Sequence, residues 1–405
     1  MAAALRHRDF ALLWSGQSVS LVGDGVFTVA LALETLRIDD QPTALSFVLA
    51  ARLLPTVILL LLGGVIVDRI PRRLAMLTSD AARGIAVAII AALVAAGSLQ
   101  LWELITMAIV FGTADALFYP AATAVVPELL PSELLVQGSA LNATSRTVAQ
   151  GLIGPALGGL IVAALGYEWG FALDAASFAT SAACLLAMRS RPLSHSSGRS
   201  PLADALEGLR YCRSQPWLWA TILGAGIANF ASFSPLGVLI PLLVRTVLHR
   251  GALELGLVFA AGGLGGTVAS LLVARLGVPR RRITSMWVGW AVSSVAVMGL
   301  ALAPNIWIAG ACAIPAFGLL TYGNVLWNPL MQDLVPPELM GRASSVDWLV
   351  SLGLSPLGVL ASGVLAGLTG ARTTLLAGGV IALLAAGVLF LPGVRDPERR
   401  AQPTK

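Results

Sequence analysis

Seven ionisable side chains, Asp24, Arg52, Asp80, Arg83, Asp115, Arg146 and Asp174, interrupt stretches that are otherwise apolar enough to cross a bilayer. A charge at mid-membrane costs at least about 2.5 kcal/mol even on insertion scales. Side chains kept there pair with one another, bind a coupling ion or meet a polar ligand. An Asp in low dielectric beside an Arg can also exchange a proton, because desolvation and the neighbouring charge act on it in opposite directions.

Depth and helical spacing suggest partners. At 1.5 Å per residue Asp24 lies about 18 Å and Arg52 about 12 Å from the same membrane face, so an arginine side chain can bridge them. That pair is either a proton-coupling site or a permanent structural bridge. Flanking Gly23 and Gly25 leave the helix open on both sides of Asp24. Asp115 and Arg146, about 16 and 11 Å from the opposite face, form a second candidate pair. Asp80 and Arg83, three residues apart, can pair within one helix. Glu34 stands within one helical turn of its segment end and is expected in interfacial water. The coupling candidates are therefore Asp24 first and Asp115 second, with Arg52, Arg146, Glu34 and Asp174 in support. The second half carries acidic residues only near expected segment ends, at Asp333 and Asp347. It offers aromatics and amides instead: Asn229, Phe230, Phe233, Tyr322, Asn324, Trp327 and Trp348, which with Phe27 and Gln150 suit a large, mostly apolar ligand.

Such residues need helices to hold them. The 405 residues are 57% hydrophobic and only 12% charged, with mean hydropathy +0.84. A soluble domain carries about 25% charged residues, so the chain is a polytopic membrane protein. Twelve segments reach the length of about 20 residues that a ~30 Å core demands: residues 10–36, 44–68, 73–97, 101–126, 139–165, 169–189, 216–244, 252–275, 283–303, 305–332, 343–369 and 371–391. Arginines gather in alternate loops, leaving Arg37, Arg245, Arg250 and Arg372 on the other side. The positive-inside rule puts both termini in the cytoplasm. Tryptophans 102, 169, 217, 219 and 307 fall near segment ends, as interfacial anchors do.

The halves repeat. "LLPSEL" at 129–134 resembles "LVPPEL" at 334–339, "GPALGG" at 154–159 resembles "SPLGVL" at 355–360, and "IPRR" at 70–73 resembles "VPRR" at 278–281. Three matches in one order argue for duplicated six-helix halves. Residues 1–189 make the first bundle, 190–215 a cytoplasmic linker, 216–391 the second bundle and 392–405 a tail.

Several functions are excluded. Lys405 is the only lysine, so there is no Walker A motif. Cys184, Cys212 and Cys312 and the three histidines form no metal, disulfide or nucleophile pattern, so no enzyme, metal or cofactor is expected. The pI of about 9.6 reflects loop arginines and membrane topology, not a nucleic-acid partner.

With these residues in view, the chain resembles the major facilitator superfamily over nearly its whole length. "GGVIVDRIPRR" looks like that superfamily's loop signature, with Gly64, Asp68, Arg69, Arg72 and Arg73 in place and Pro71 where the pattern has glycine. "GLIGPALGG" carries the GPxxGG core associated with exporters at Gly154, Pro155, Gly158 and Gly159, although Gln150 replaces an earlier glycine. "LWSGQSVSLVGDGVFTVAL", "FALDAASFATSAACLLAMRSRP" and "EGLRYCRSQPWLW" are similar to the drug:proton antiporter group that includes enterobactin-type siderophore exporters and macrolide efflux proteins. The resemblance implies a monomeric all-α transporter of the plasma membrane with twelve transmembrane helices in two six-helix bundles. It would exchange protons for a lipophilic or amphiphilic drug, antibiotic or siderophore, with Asp68 latching the cytoplasmic side. An uptake symporter or facilitator would use the same architecture, and a non-transporting membrane sensor or scaffold is the reading from another class.

Overall fold

The computed structural model describes residues 3–67, 70–189 and 201–395, with side chains described at all of these except 60–67 and 201–205. Asp68 and Arg69 of the loop signature, residues 190–200 of the linker and residues 396–405 of the tail lie outside the described residues. Gly64 falls within the helix Pro42–Val67, in the part whose side chains are not described.

Among the described residues twelve helices are long and apolar enough to span a membrane. In chain order they are Arg8–Ile38, Pro42–Val67, Arg72–Ala95, Leu101–Leu129, Ser132–Leu165, Tyr167–Ala187, Pro216–Val247, Ala252–Leu276, Arg282–Leu302, Ile306–Leu334, Pro337–Thr369 and Ala371–Phe390. A shorter helix, Pro201–Ser214, precedes the seventh span.

Local chemistry sets the boundaries. Gln100 and Glu103 form a capping box at the start of the fourth span. The Asn305 side chain accepts the amide of Ile308 at 3.0 Å at the start of the tenth. Between the fifth and sixth spans the chain turns at Gly166 with φ +110°, and between the eleventh and twelfth at Gly370 with φ +86°. A side chain would strain both turns, and their matching places carry the internal repeat into the backbone.

Ten spans match the expected segments closely. The fifth and eleventh start at Ser132 and Pro337, seven and six residues earlier than the hydrophobic pattern suggests. Their first turns are polar, and prolines at 131, 336 and 337 open them instead of ending them. Neither helix then runs uniformly. Arg146–Ile153 in the fifth span and Asn229–Phe233 in the seventh are π-helical, and the eleventh breaks at Leu354. Each irregularity ends two residues before a proline, at Pro155, Pro235 and Pro356. Proline has no N–H and its ring crowds the preceding turn, so the hydrogen-bond ladder must widen or break there.

The chain forms two compact units: residues 1–196 with 244–263, and residues 197–243 with 264–405. In the first, the first span packs on the fifth and sixth, the second on the fourth, and the third on the fourth and sixth. In the second, the ninth packs on the tenth and twelfth, and the helix Pro201–Ser214 lies on the eleventh.

Candidate functional site

The middle of the first unit holds a buried network of charge. Arg83 of the third span is 3% exposed and pairs with Asp80 one turn earlier; its Nη1 also donates to Asp115 Oδ1 of the fourth span at 3.0 Å. Arg52 of the second span reaches the other oxygen of Asp115 at 3.3 Å. The Ser181 hydroxyl of the sixth span donates to Asp80 Oδ2 at 2.6 Å. Two guanidiniums thus hold two carboxylates, the condition under which buried charge is tolerated.

Aromatic rings enclose the arginines. Arg52 lies 4.2 Å from the Phe111 ring centre and 5.7 Å from that of Phe27, while Arg83 lies 4.3 Å from Phe118 and 4.6 Å from Phe178. Ring faces attract desolvated cations and partly replace their lost water. Phe27 is therefore core: it is 2% exposed and stacks on Phe111 at 5.2 Å, so its place in the expected ligand cavity is corrected.

Two more carboxylates belong to this interior. Asp24 is 4% exposed, and its Oδ1 is buried without a hydrogen bond. Asp174 of the sixth span is 0% exposed; Ser177 donates to its Oδ1 at 3.2 Å, and its Oδ2 has no partner. Asp174 reaches the first span at Gly23, where an added Cβ would collide with Asp174 Oδ1 and the Ser177 hydroxyl. Gly23 is thus what lets the sixth-span carboxylate lie beside the residue preceding Asp24.

The expected pairings change accordingly. Arg52 binds Asp115 and makes no salt bridge to Asp24. Asp115 pairs with Arg52 and Arg83 and not with Arg146. Arg146 is exposed and stands 4.9 Å over the Tyr119 ring. Because the fifth span starts at Ser132, seven residues before the hydrophobic pattern suggests, Arg146 lies about 21 Å along it. Asp80 and Arg83 do pair within their helix, but as part of the larger network. Glu34 is corrected from a wetted position to a fully buried one, paired with Arg37 at 2.6 Å.

The exporter signature works by backbone proximity. Gly154 lies against Gly25 and the Val22 carbonyl, and Gly158 against Val26, so both face the first span around Asp24. Gly159 instead faces Ala252 and Gly256 of the eighth span, within the same unit. Pro155 follows the π-turn that carries Arg146 and half-buried Gln150. In the loop signature, Arg72 pairs with Glu128 and donates to the Ala124 carbonyl at 2.6 Å. Arg73 donates to the carbonyls of Leu185 and Leu186 at 2.6 and 2.7 Å, tying the third span to the sixth.

The second unit is organised around one carboxylate that the sequence reading placed near a helix end. Asp347 lies about 15 Å into its span when counted from Pro337. Trp327 Nε1 donates to its Oδ2 at 2.7 Å and the Ser351 hydroxyl to its Oδ1 at 2.8 Å. It stands nine residues before Pro356, as Arg146 stands nine before Pro155, and that register was the available signal. Asn229 donates to the Ser351 carbonyl at 2.9 Å, and Tyr322 bonds Ser285. Asn324 is exposed, as are Trp348 at 54% and Phe230 at 36%, whereas Phe233 packs on Ala228, Ala382 and Ala385. Trp217 is corrected from interfacial anchor to core, being 5% exposed and 6.2 Å from the Trp327 ring. Among the described residues no group of His, Cys, Asp or Glu could hold a metal ion.

The chain is similar to known membrane proteins along most of its length. The family model described as transmembrane secretion effector matches residues 1–403. The enterobactin exporter EntS of Salmonella typhi is 27% identical over 350 residues, covering 84% of this chain and 81% of EntS. The multidrug efflux pump Tap of Mycolicibacterium fortuitum is 26% identical over 408 residues, covering 97% of each. Among solved structures, a bacterial homolog of the human lysosomal transporter Spinster superposes with a TM-score of 0.71 at 16% identity, covering 98% of this chain and 99% of that one. With the family model matched along nearly its whole length, this multi-pass helical chain belongs to the transmembrane secretion effector family of major facilitator transporters.

Proposed function

We propose that the chain exports a lipophilic or amphiphilic small molecule from the cell in exchange for protons, by alternating access of two six-helix bundles joined by residues 190–215. It does so as a monomer in the cell membrane with both termini in the cytoplasm. One observation carries the reading: Asp24, buried in the first unit, has a carboxylate oxygen with no hydrogen-bond partner and, unlike Asp80 and Asp115 beside it, no salt bridge to Arg52 or Arg83. A permanent structural carboxylate would be held by a cation or by donors, as Asp80 and Asp115 are, because a buried charge without a partner is costly. A proton carrier must lose its partner in one state of the cycle.

The exporter-type glycines press the fifth span onto the first around this residue, so movement of the fifth span changes the packing of Asp24. The named relatives EntS and Tap support the outward direction and a drug- or siderophore-like cargo. Ethidium serves as a probe of the cargo class. In energised inverted membrane vesicles the wild type should take up ethidium while dissipating the proton gradient. Asp24→Asn should abolish this uphill uptake yet keep a monodisperse, folded protein. Undiminished proton-driven uptake by Asp24→Asn would remove Asp24 from the coupling role.

A further inference from the structure

The buried charges of the first unit do not balance. Arg52 and Arg83 supply two permanent positive charges, since a guanidinium does not deprotonate in proteins. Asp80 and Asp115 neutralise them through the salt bridges described above. Asp24 and Asp174 remain, 4% and 0% exposed, each with an oxygen that nothing bonds. Neither makes a salt bridge among the described residues.

No nearby cation remains to offset them. On the packed spans the next groups are Tyr119, the exposed Arg146 that covers it, and the pair Glu34–Arg37 about 15 Å further along the first span. Two ionised carboxylates in one low-dielectric interior, without counter-charge, repel each other and forfeit their hydration. Neutralising each removes both costs. The absence of a Cβ at Gly23, the residue before Asp24, is what permits Asp174 to lie against the first span there.

We propose that this interior holds two protons, one on Asp24 and one on Asp174, and that Asp174 is a second proton-binding residue of the transport cycle. Each carboxylate gains one O–H bond from water when its side opens and returns that proton to water on the other side. Two protons would then cross per substrate. The transport consequence rests on the proton-coupled reading above, whereas proton occupancy does not.

Infrared difference spectroscopy of the full-length protein in lipid, recorded between acid and alkaline pH, reads occupancy directly. The wild type should show two carboxylic-acid carbonyl bands that vanish as the pH rises, after subtraction of any band removed by Asp347→Asn. Asp24→Asn should delete one of them and Asp174→Asn the other. The double variant should fold with thermal stability unchanged at acid pH and raised at alkaline pH, because two neutral acids become amides of the same shape that cannot ionise. A single band, no band, or loss of both bands on adding sodium ions at constant pH would overturn the proposal.

In proteoliposomes with the membrane potential clamped, the ethidium ratio at balance should scale as the square of the imposed proton ratio. In Asp174→Asn it should scale linearly. A linear dependence in the wild type would overturn the two-proton cycle even with both bands present. Failure of the wild type to move ethidium at all would count against the export reading alone, and the infrared result would still decide proton occupancy.

Discussion

The two units solve the same problem, polarity inside a membrane, in opposite ways. The first concentrates it: Asp24, Arg52, Asp80, Arg83, Asp115 and Asp174 come from five spans and meet in one interior lined by phenylalanines. The second disperses it, with one mid-span carboxylate, Asp347, held by neutral donors from Trp327 and Ser351. A charge network changes state by gaining or losing protons, while neutral amides and indoles change state only by exchanging partners. On the export reading proposed above, the first unit would take the coupling proton and the second a ligand that replaces weak hydrogen bonds and covers exposed rings such as Trp348 and Phe230.

The largest test of that contrast is Arg83→Met. It leaves Asp80 and Asp115 buried with one guanidinium between them, and removing one partner of a buried ion pair costs about 3–5 kcal/mol. We expect little folded protein in detergent by thermal size-exclusion assay, with partial recovery when Asp80→Asn is added. Survival of Arg83→Met at wild-type stability would mean that water reaches the cluster. Next in size is Gly154→Leu, which drives a side chain into the Gly25 backbone. Overpacking of this kind costs about 1–3 kcal/mol. The same thermal assay should show a loss of that order, larger than for Gly154→Ser, which installs the residue at the matching place of the eleventh span.

In the second unit the effects should shrink. Asp347→Asn keeps an acceptor for Trp327 Nε1 and removes an uncompensated charge, so its stability cost should stay below about 1 kcal/mol. Transport should separate by substrate charge: affinity for ethidium should fall while that for an uncharged dye of similar size holds. Equal losses for both would make Asp347 a packing residue.

Hydrophobic length and loop arginines are long-range averages, and they made the twelve spans legible. Pairing was not, because it depends on which faces the spans turn toward each other. Asp80 and Arg83 could be matched by their spacing alone, yet nothing local says that Asp115 completes the set. Arg146 and Asp347 were misplaced in depth for one reason: prolines at 131 and 336 read as loop breakers, whereas they open helices. The π-turns at 146–153 and 229–233 also escaped, although Pro155 and Pro235 forecast a disturbed ladder. Glu34 shows the remaining gap, since closeness to a helix end says nothing about what packs over it.

The smallest effect at neutral pH concerns Cys212, outside the spans on the helix Pro201–Ser214. It packs with Trp217, Ile283 and Met286 at the edge of the second unit, and burial pushes its thiol from 9.0 up to about 11, with the Asp347 charge adding to the shift. The folded chain therefore resists forming the thiolate that an opened helix forms more readily. Below about pH 9 both forms keep the proton and pH has no effect. Between about 9 and 11 the open form releases its proton while the docked form retains it, so docking weakens as pH rises through that window. Mass-spectrometric counting of iodoacetamide adducts at pH 8 should show Cys212 spared in the folded protein and labelled once denaturant opens the helix. Cys212 labelling should then climb more steeply than thiolate formation in a free cysteine between pH 9 and 10. Rapid labelling of Cys212 at pH 8 would show that this helix is not held on the second unit, and the edge of that unit would then be as open as its aromatic face.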